Sequence, residues 1–208
     1  TAVSDEGGIA TSATSTANAL RGSYMVTATV SGIITPASFS LANICWYVTT
    51  GGDDGNDCQT PSTACATINS ALNKPDFAAG DIVFVASGTY TGAGGEVVLL
   101  DKSVALSGGW DSTFTAQTGT STIDGQGSQR GITVNRGVTT TMERFAIGNG
   151  SRYDSGGIYN GGTLTLNNST VSGNTTYGYG GGIHNRGTLT LNNSTVSGNT
   201  ASYGGGIY

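Results

Sequence analysis

The sequence predicts an all-β solenoid, and three observations carry that prediction. The segment 162–175 (GTLTLNNSTVSGNT) recurs letter for letter at 187–200. Gly-Gly-Ile triplets end at Ile158, Ile183 and Ile207, so that the two intervals differ by a single position, and a fixed period in the twenties marks stacked-coil architectures. Each period is built from Thr, Val, Leu, Ile, Asn and Gly, which favour strands and tight corners over the helical return of a leucine-rich repeat.

Within a period, Thr163 out, Leu164 in, Thr165 out, Leu166 in is the alternation of a half-buried strand. One coil then holds strands at 163–166, 169–172 and 181–185. Its corners are Asn167-Asn168, Gly173-Asn174 and a glycine-rich loop, residues that tolerate left-handed backbone angles. Stacking at ~4.8 Å places Leu164 over Leu189, Leu166 over Leu191 and Val171 over Val196. Leu166→Asp is expected to unfold the C-terminal half. One period back from Leu166 and Val171 stand Met142 and Ile147, and a step longer by one position leads from Asn160 to Asn135, so an older, degenerate copy precedes the clean ones.

The chain has 208 residues, 35 of them glycine, with 10% charged and 36% hydrophobic, which fits neither a disordered polyelectrolyte nor a helical globule. A net charge of −5, with eight basic residues scattered along the sequence, argues against nucleic acid or an anionic membrane as partner. No apolar run approaches the ~18 residues of a membrane span. The sequence opens without Met and stops inside a repeat, and is expected to be part of a longer protein.

Taken in order, residues 1–44 are rich in Thr, Ala and Ser. Alternation over 24–30, turn residues at 31–36 and alternation over 37–41 predict a hairpin. Three cysteines follow. The segment DCQTPSTAC brackets a proline turn and favours a Cys58–Cys65 bridge in an oxidising compartment. Pairing of Cys45 with either, or with a residue outside the sequence, or Cys45 as a buried apolar thiol, are the alternatives. Asp53, Asp54 and Asp57 in GGDDGND match no calcium-loop spacing, and solvated turn carboxylates are expected. No metal or other cofactor is expected.

A helix is predicted over 63–74, with Ser62 or Thr63 as N-cap, Pro75 as terminator and Cys65, Ile68 and Leu72 on one face. Lying just ahead of the strands, it suits a lid over the first coil, in a cap region of 45–80. Strand-like runs at 82–85, 97–100, 104–107, 122–123 and 132–134 make irregular coils over 81–134, with 111–121 as an excursion loop. Regular repeats fill 135–208.

The order GDIVFVASGTYTG, LLDKSVALSGGWD, STIDGQG, RGITV and GGIYNGGTLTLNNSTVSGN resembles the right-handed parallel β-helix proteins of the pectin-lyase-like superfamily. It is most similar to bacterial cell-surface proteins with repeats of the polymorphic outer membrane protein type, across 45–208. GSYMVTATVSGIITPASFSL resembles the last strands of a bacterial Ig-like repeat, making 1–44 a partial repeat or linker. These resemblances imply a right-handed parallel β-helix with an N-terminal capping helix, secreted or displayed on a bacterial surface, and adhesin-like or structural.

Chemistry is sparser. The fold hosts lyases, hydrolases, adhesins and spacers, and the acid, His-Gly, Arg-x-Lys and calcium-acid patterns of its pectin-degrading enzymes do not occur here. Asp101 and Asp124, nearly one period apart, are the best candidates for stacked acids. His184 takes the repeat position of Tyr159 and Tyr208 and is expected to be a variable outward residue. Tyr153, Tyr159, Tyr177, Tyr179 and Tyr203 line the glycine-rich edge as candidate ligand contacts, stacking on a glycan or a surface protein. The Thr139/Thr141, Thr163/Thr165 and Thr188/Thr190 columns are the ordinary polar face of a strand. The sequence points to a non-catalytic display or adhesive module. The alternative is a piece of a carbohydrate-active enzyme, a polysaccharide lyase or glycoside hydrolase, with its catalytic coils beyond Tyr208.

Overall fold

In the computed structural model, residues 22–28 and 37–208 are described, and the chain divides into the units Thr1–Asn43 and Ile44–Tyr208. In the first, β1 (Gly22–Ala28) and β2 (Ala37–Asn43) pair antiparallel, as alternation over these residues predicts. The turn expected at 31–36 lies outside the described residues.

The second unit opens with β3 (Cys45–Val48) and a short helix, α1 (Ile68–Leu72). Three-strand coils follow. The first is β4 (Ile82–Ala86), β5 (Gly88–Tyr90) and β6 (Glu96–Leu100); the next is β7 (Val104–Trp110), β8 (Ser121–Asp124) and β9 (Arg130–Val134). Then come β10 (Thr139–Glu143), β11 (Phe145–Gly148) and β12 (Ile158–Asn160), and after them β13 (Thr163–Asn167), β14 (Thr170–Ser172) and β15 (Ile183–Asn185). The strands β16 (Thr188–Asn192) and β17 (Thr195–Ser197) begin one more coil. Strands of successive coils stack into three sheets, β3-β4-β7-β10-β13-β16, β5-β8-β11-β14-β17 and β6-β9-β12-β15, with every pairing parallel. The chain is a parallel β-helix.

Register turns the alternation into ladders. Val83, Leu106, Met142, Leu166 and Leu191 stack in one sheet; Tyr90, Ile123, Ile147, Val171 and Val196 in the next; Val98, Ile132, Ile158 and Ile183 in the third. All but the outermost Leu191 and Val196 are buried. Each such side chain contributes roughly 1.5–3 kcal/mol. At the first corner Asn168 and Asn193 sit at φ 49°, where the Asn side chain tolerates left-handed backbone. Arg144 holds the same corner one coil earlier, at φ 59°.

Polar groups inside the ladders are satisfied along the stack. Asn174 is fully buried and its Nδ2 donates to the carbonyls of Ile147 and Ser172, both at 3.1 Å, and to Asn199 Oδ1 at 2.9 Å, while its Oδ1 accepts from Gly150 N at 2.8 Å. Asn160 likewise donates to Asn185 Oδ1 at 2.7 Å and to the Thr188 carbonyl at 2.9 Å. These asparagines replace the backbone pairing that a sharp corner interrupts.

The helix is shorter than the sequence predicts. A single 3-10 turn spans Pro61–Thr63, capped by Thr60, and α1 starts only after Thr67, whose hydroxyl accepts from Ser70 N. Between them Cys65 is drawn into the sheet: its N donates to Tyr47 O and its O accepts from Thr49 N, both at 2.9 Å. A disulfide ties it to Cys58. Extended pairing and helix are exclusive at one residue, so the helix waits until Thr67. Ile68, Ala71 and Leu72 join the core. Asn69 closes the edge of β6, donating from Nδ2 to Val97 O and accepting from Leu99 N on Oδ1, both at 3.0 Å. An exposed strand edge is thereby paired by one amide side chain. Cys45 lies buried on β3, outside the disulfide.

The excursion after β7 is wound around one carboxylate. Asp111 accepts from the amides of Thr113, Thr115 and Ala116, each at 3.0 Å, and from both threonine hydroxyls. Phe114 then packs edge-on against Tyr47 at 5.0 Å, outside the solenoid. The amide of Thr115 leads the hydrogen bonds that hold Asp111 well below the usual carboxylate range.

Candidate functional site

Along the outer face of β6-β9-β12-β15, register aligns Leu99, Thr133, Tyr159 and His184. The bridge between Ile183 and Ile207 extends the row to Tyr208. These side chains point away from the core by simple alternation with Val98, Ile132, Ile158 and Ile183. From Thr133 to Tyr208 they floor a groove of about 410 Å3, walled by Arg130 and Asp154 on one side and Arg186 on the other.

His184 lies in the middle and is 6% exposed. Its outward placement follows the repeat, but its burial does not. Tyr159 and Tyr208, from the coils below and above, stand edge-on to its ring at 5.3 and 5.5 Å, and Tyr179 leans on it at 5.8 Å. Its Nδ1 lies 3.0 Å from the carbonyl oxygen of Asp154. A carbonyl only accepts, so in the neutral ring Nδ1 carries the proton and Nε2 is the acceptor nitrogen. The ring thus faces outward as expected, but it is packed among tyrosines and not left in solvent.

Arg130 opens β9 opposite Glu96. Its guanidinium is 3.8 Å from Glu96 Oε2, donates from Nη1 to Thr133 Oγ1 at 3.0 Å and from Nε to the Ser155 carbonyl at 3.3 Å, and lies 5.2 Å from the Tyr159 ring centre. Burial lowers its pKa and Glu96 opposes that effect, leaving a rigid cation. Arg152 reaches the same neighbourhood, donating to Gly95 O at 3.0 Å.

The five tyrosines divide. Tyr179 and Tyr203 stack at 5.3 Å with 25° between planes, Tyr179 meets Tyr208 at 4.7 Å, and Tyr159 sits in the floor. Tyr153 and Tyr177 stand apart, 74% and 85% exposed, on adjacent loops joined by the Thr176 hydroxyl donating to the Tyr153 carbonyl.

No family model matches the chain, and no curated protein does. Among solved structures a rhamnogalacturonan lyase is similar, over 76% of this chain and 45% of that one, at 18% identity and a TM-score of 0.44. The chain thus spans less than half of that protein's length.

The acids singled out in the sequence do other work. Asp101 follows β6 and Asp124 ends β8, in different sheets, so they are not stacked. Their separation along the sequence is close to one coil, but the two positions fall on different sides of it. Asp54 is exposed, as expected of a solvated carboxylate, but it also reaches beyond its own turn: its Oδ1 accepts from the amides of Ala66 and Thr67 at 2.9 Å, fastening the start of α1. Asp53 and Asp57 brace their own turn through Gly55 N and Gln59 N. Among the described residues no three His, Cys, Asp or Glu side chains gather as a metal site, and no helix is long and apolar enough to cross a membrane.

The arginines were the missed signal. Scattered in sequence, Arg130, Arg136 and Arg186 line adjoining depressions on one face. Arg136 and Arg186 stand two coil lengths apart in the sequence, and that spacing was the available clue.

Proposed function

We propose that this chain is a glycan-binding β-helix, displayed outside a bacterial cell, which holds a saccharide along the groove between Arg130 and Arg186. The carrying observation is the convergence of Tyr159, Tyr179 and Tyr208 with fixed polar groups on a sheet face. Sugar rings present apolar faces that stack on aromatic side chains and hydroxyls that pair with charged donors and acceptors. Consecutive coils repeat that offer along the axis, which suits an extended chain. The Cys58–Cys65 disulfide supports an oxidising, extracellular setting, and a resemblance to surface-displayed repeat proteins agrees with an adhesin-like role.

Binding across a glycan array, with Tyr179→Ala and Tyr208→Ala beside the wild type, tests this reading. Each truncation is expected to weaken binding by about tenfold, the worth of roughly one stacked ring. A folded wild type that binds no glycan, or truncations without effect, would refute it.

One observation favours a second reading, a carbohydrate-active enzyme. His184, held at Nδ1 by Asp154, offers Nε2 as a base in a ring that lines the groove beside Arg130. Release of new chain ends from a bound polysaccharide, lost in His184→Gln, would establish it. Binding without turnover in the wild type would dismiss it for this groove.

A further inference from the structure

Beside the groove lies a second depression of about 620 Å3, lined by Asn135, Arg136, Tyr159, Gly161 and Arg186. It shares Tyr159 and Arg186 with the first, so the two are one continuous surface. Their electrostatics differ. Arg130 is occupied by Glu96, Thr133, Ser155 and Tyr159, whereas among the described residues the exposed guanidinium groups of Arg136 and Arg186 donate no hydrogen bond and form no ion pair. No carboxylate lines this second depression. In a chain of net charge −5, two unneutralised cations at one pocket are a local excess.

The coil stack sets their spacing. Arg186 N donates to Asn160 O at 2.7 Å, Gly161 N to Val134 O at 2.8 Å and Asn135 N to Leu100 O at 2.9 Å. Arg136 and Arg186 therefore follow strands of the coils on either side of Gly161, about two strand spacings or ~10 Å apart along the axis. Two arginine side chains readily close that gap around one small group. Between them Gly161 lets the backbone run close, since a Cβ there would lie 3.2 Å from Val134 O, 3.4 Å from Arg136 N and 3.6 Å from the Tyr159 ring.

We propose that the pocket between Arg136 and Arg186 is an oxyanion subsite, taking a carboxylate or sulfate ester carried by the bound saccharide; this rests on the glycan-binding reading above. Each guanidinium presents a planar fork of donors that matches an oxyanion. Drawing both guanidinium groups toward one point costs repulsion that the charge of a bound anion offsets. Tyr159, shared by both depressions, places the sugar that bears the anion against the aromatic floor.

The test uses the full chain and two matched pairs of probes, a uronic-acid hexasaccharide with its methyl ester, and a sulfated dextran with unsulfated dextran. Affinities of wild type, Arg136→Gln, Arg186→Gln, the double variant and Tyr179→Ala are measured at two salt concentrations. At least one charged probe is expected to bind about tenfold or more tightly than its neutral twin, and each Arg→Gln to remove about five- to tenfold of that preference, with Arg136→Gln, outside the first groove, leaving the neutral twin unaffected. The pair that shows the difference identifies carboxylate or sulfate. Equal affinity for charged and neutral twins, or full retention by the double variant, overturns the subsite. If neutral twins bind in a Tyr179-dependent way while both arginine variants are silent, only the subsite fails. If nothing binds, or Tyr179→Ala changes nothing, the glycan reading fails with it. Both arginines are exposed, and an unchanged circular dichroism spectrum separates lost contacts from misfolding.

Discussion

Leu166 and Leu191 occupy the same place in two identical segments, so local propensity cannot distinguish them. Stacking does. Leu166 is 0% exposed between Met142 and Leu191, whereas Leu191 is only partly buried. Leu→Ala removes about three carbons, or ~2.4 kcal/mol at ~0.8 kcal/mol per methylene. The cavity left inside a closed ladder raises this to about 3–4 kcal/mol at Leu166. At Leu191 solvent already reaches the side chain, and roughly 1–1.5 kcal/mol is expected. Urea unfolding of the full chain, followed by far-ultraviolet circular dichroism and hydrogen exchange of β16 and β17, measures both. Leu166→Ala should lower the midpoint of the whole solenoid, while Leu191→Ala should loosen the outermost coil first, since each coil is stabilised by its neighbours. Equal losses, or less than about 1 kcal/mol for Leu166→Ala, would refute the ladder argument.

Two further outcomes are expected. Asn174→Ala leaves Gly150 N and the Ile147 carbonyl without their buried partner and should cost on the order of 3 kcal/mol in the same unfolding assay, more than Asn199→Ala in the outer coil. Because the folded-state pKa of Asp111 is depressed, its contribution is complete above its unfolded value of ~3.9 and is lost as pH falls below that. Exchange protection of the Thr113, Thr115 and Ala116 amides should therefore hold down to about pH 4 and decline only under stronger acid, with Asp111→Asn weaker from about pH 4 upward and converging with the wild type in strong acid; protection that fades between pH 7 and 5 would contradict this.

The sequence by itself determined the coil. Thr163 to Leu166 alternates, Asn168 and Gly173 take the left-handed corners, and the repeat at Leu189, Leu191 and Val196 imposes the ladder, because strand period and corner chemistry act over a few neighbouring residues. What it could not determine was which residues meet sideways, since that depends on how many residues each coil contains. The count back from Asn160 points to Asn135, but the register places Val134 there, with Ile132 beneath Ile158. One extra residue per turn shifts every outward neighbour. The burial of His184 depends on tyrosines contributed by other coils and loops, and the meeting of Arg136 with Arg186 on the coils flanking Gly161. The start of α1 at Thr67 was likewise decided at a distance, by the pairing of Cys65 with Tyr47 and Thr49. Local chemistry specifies the strand and its corner, whereas the face that could hold a ligand exists only after the coils are stacked in register.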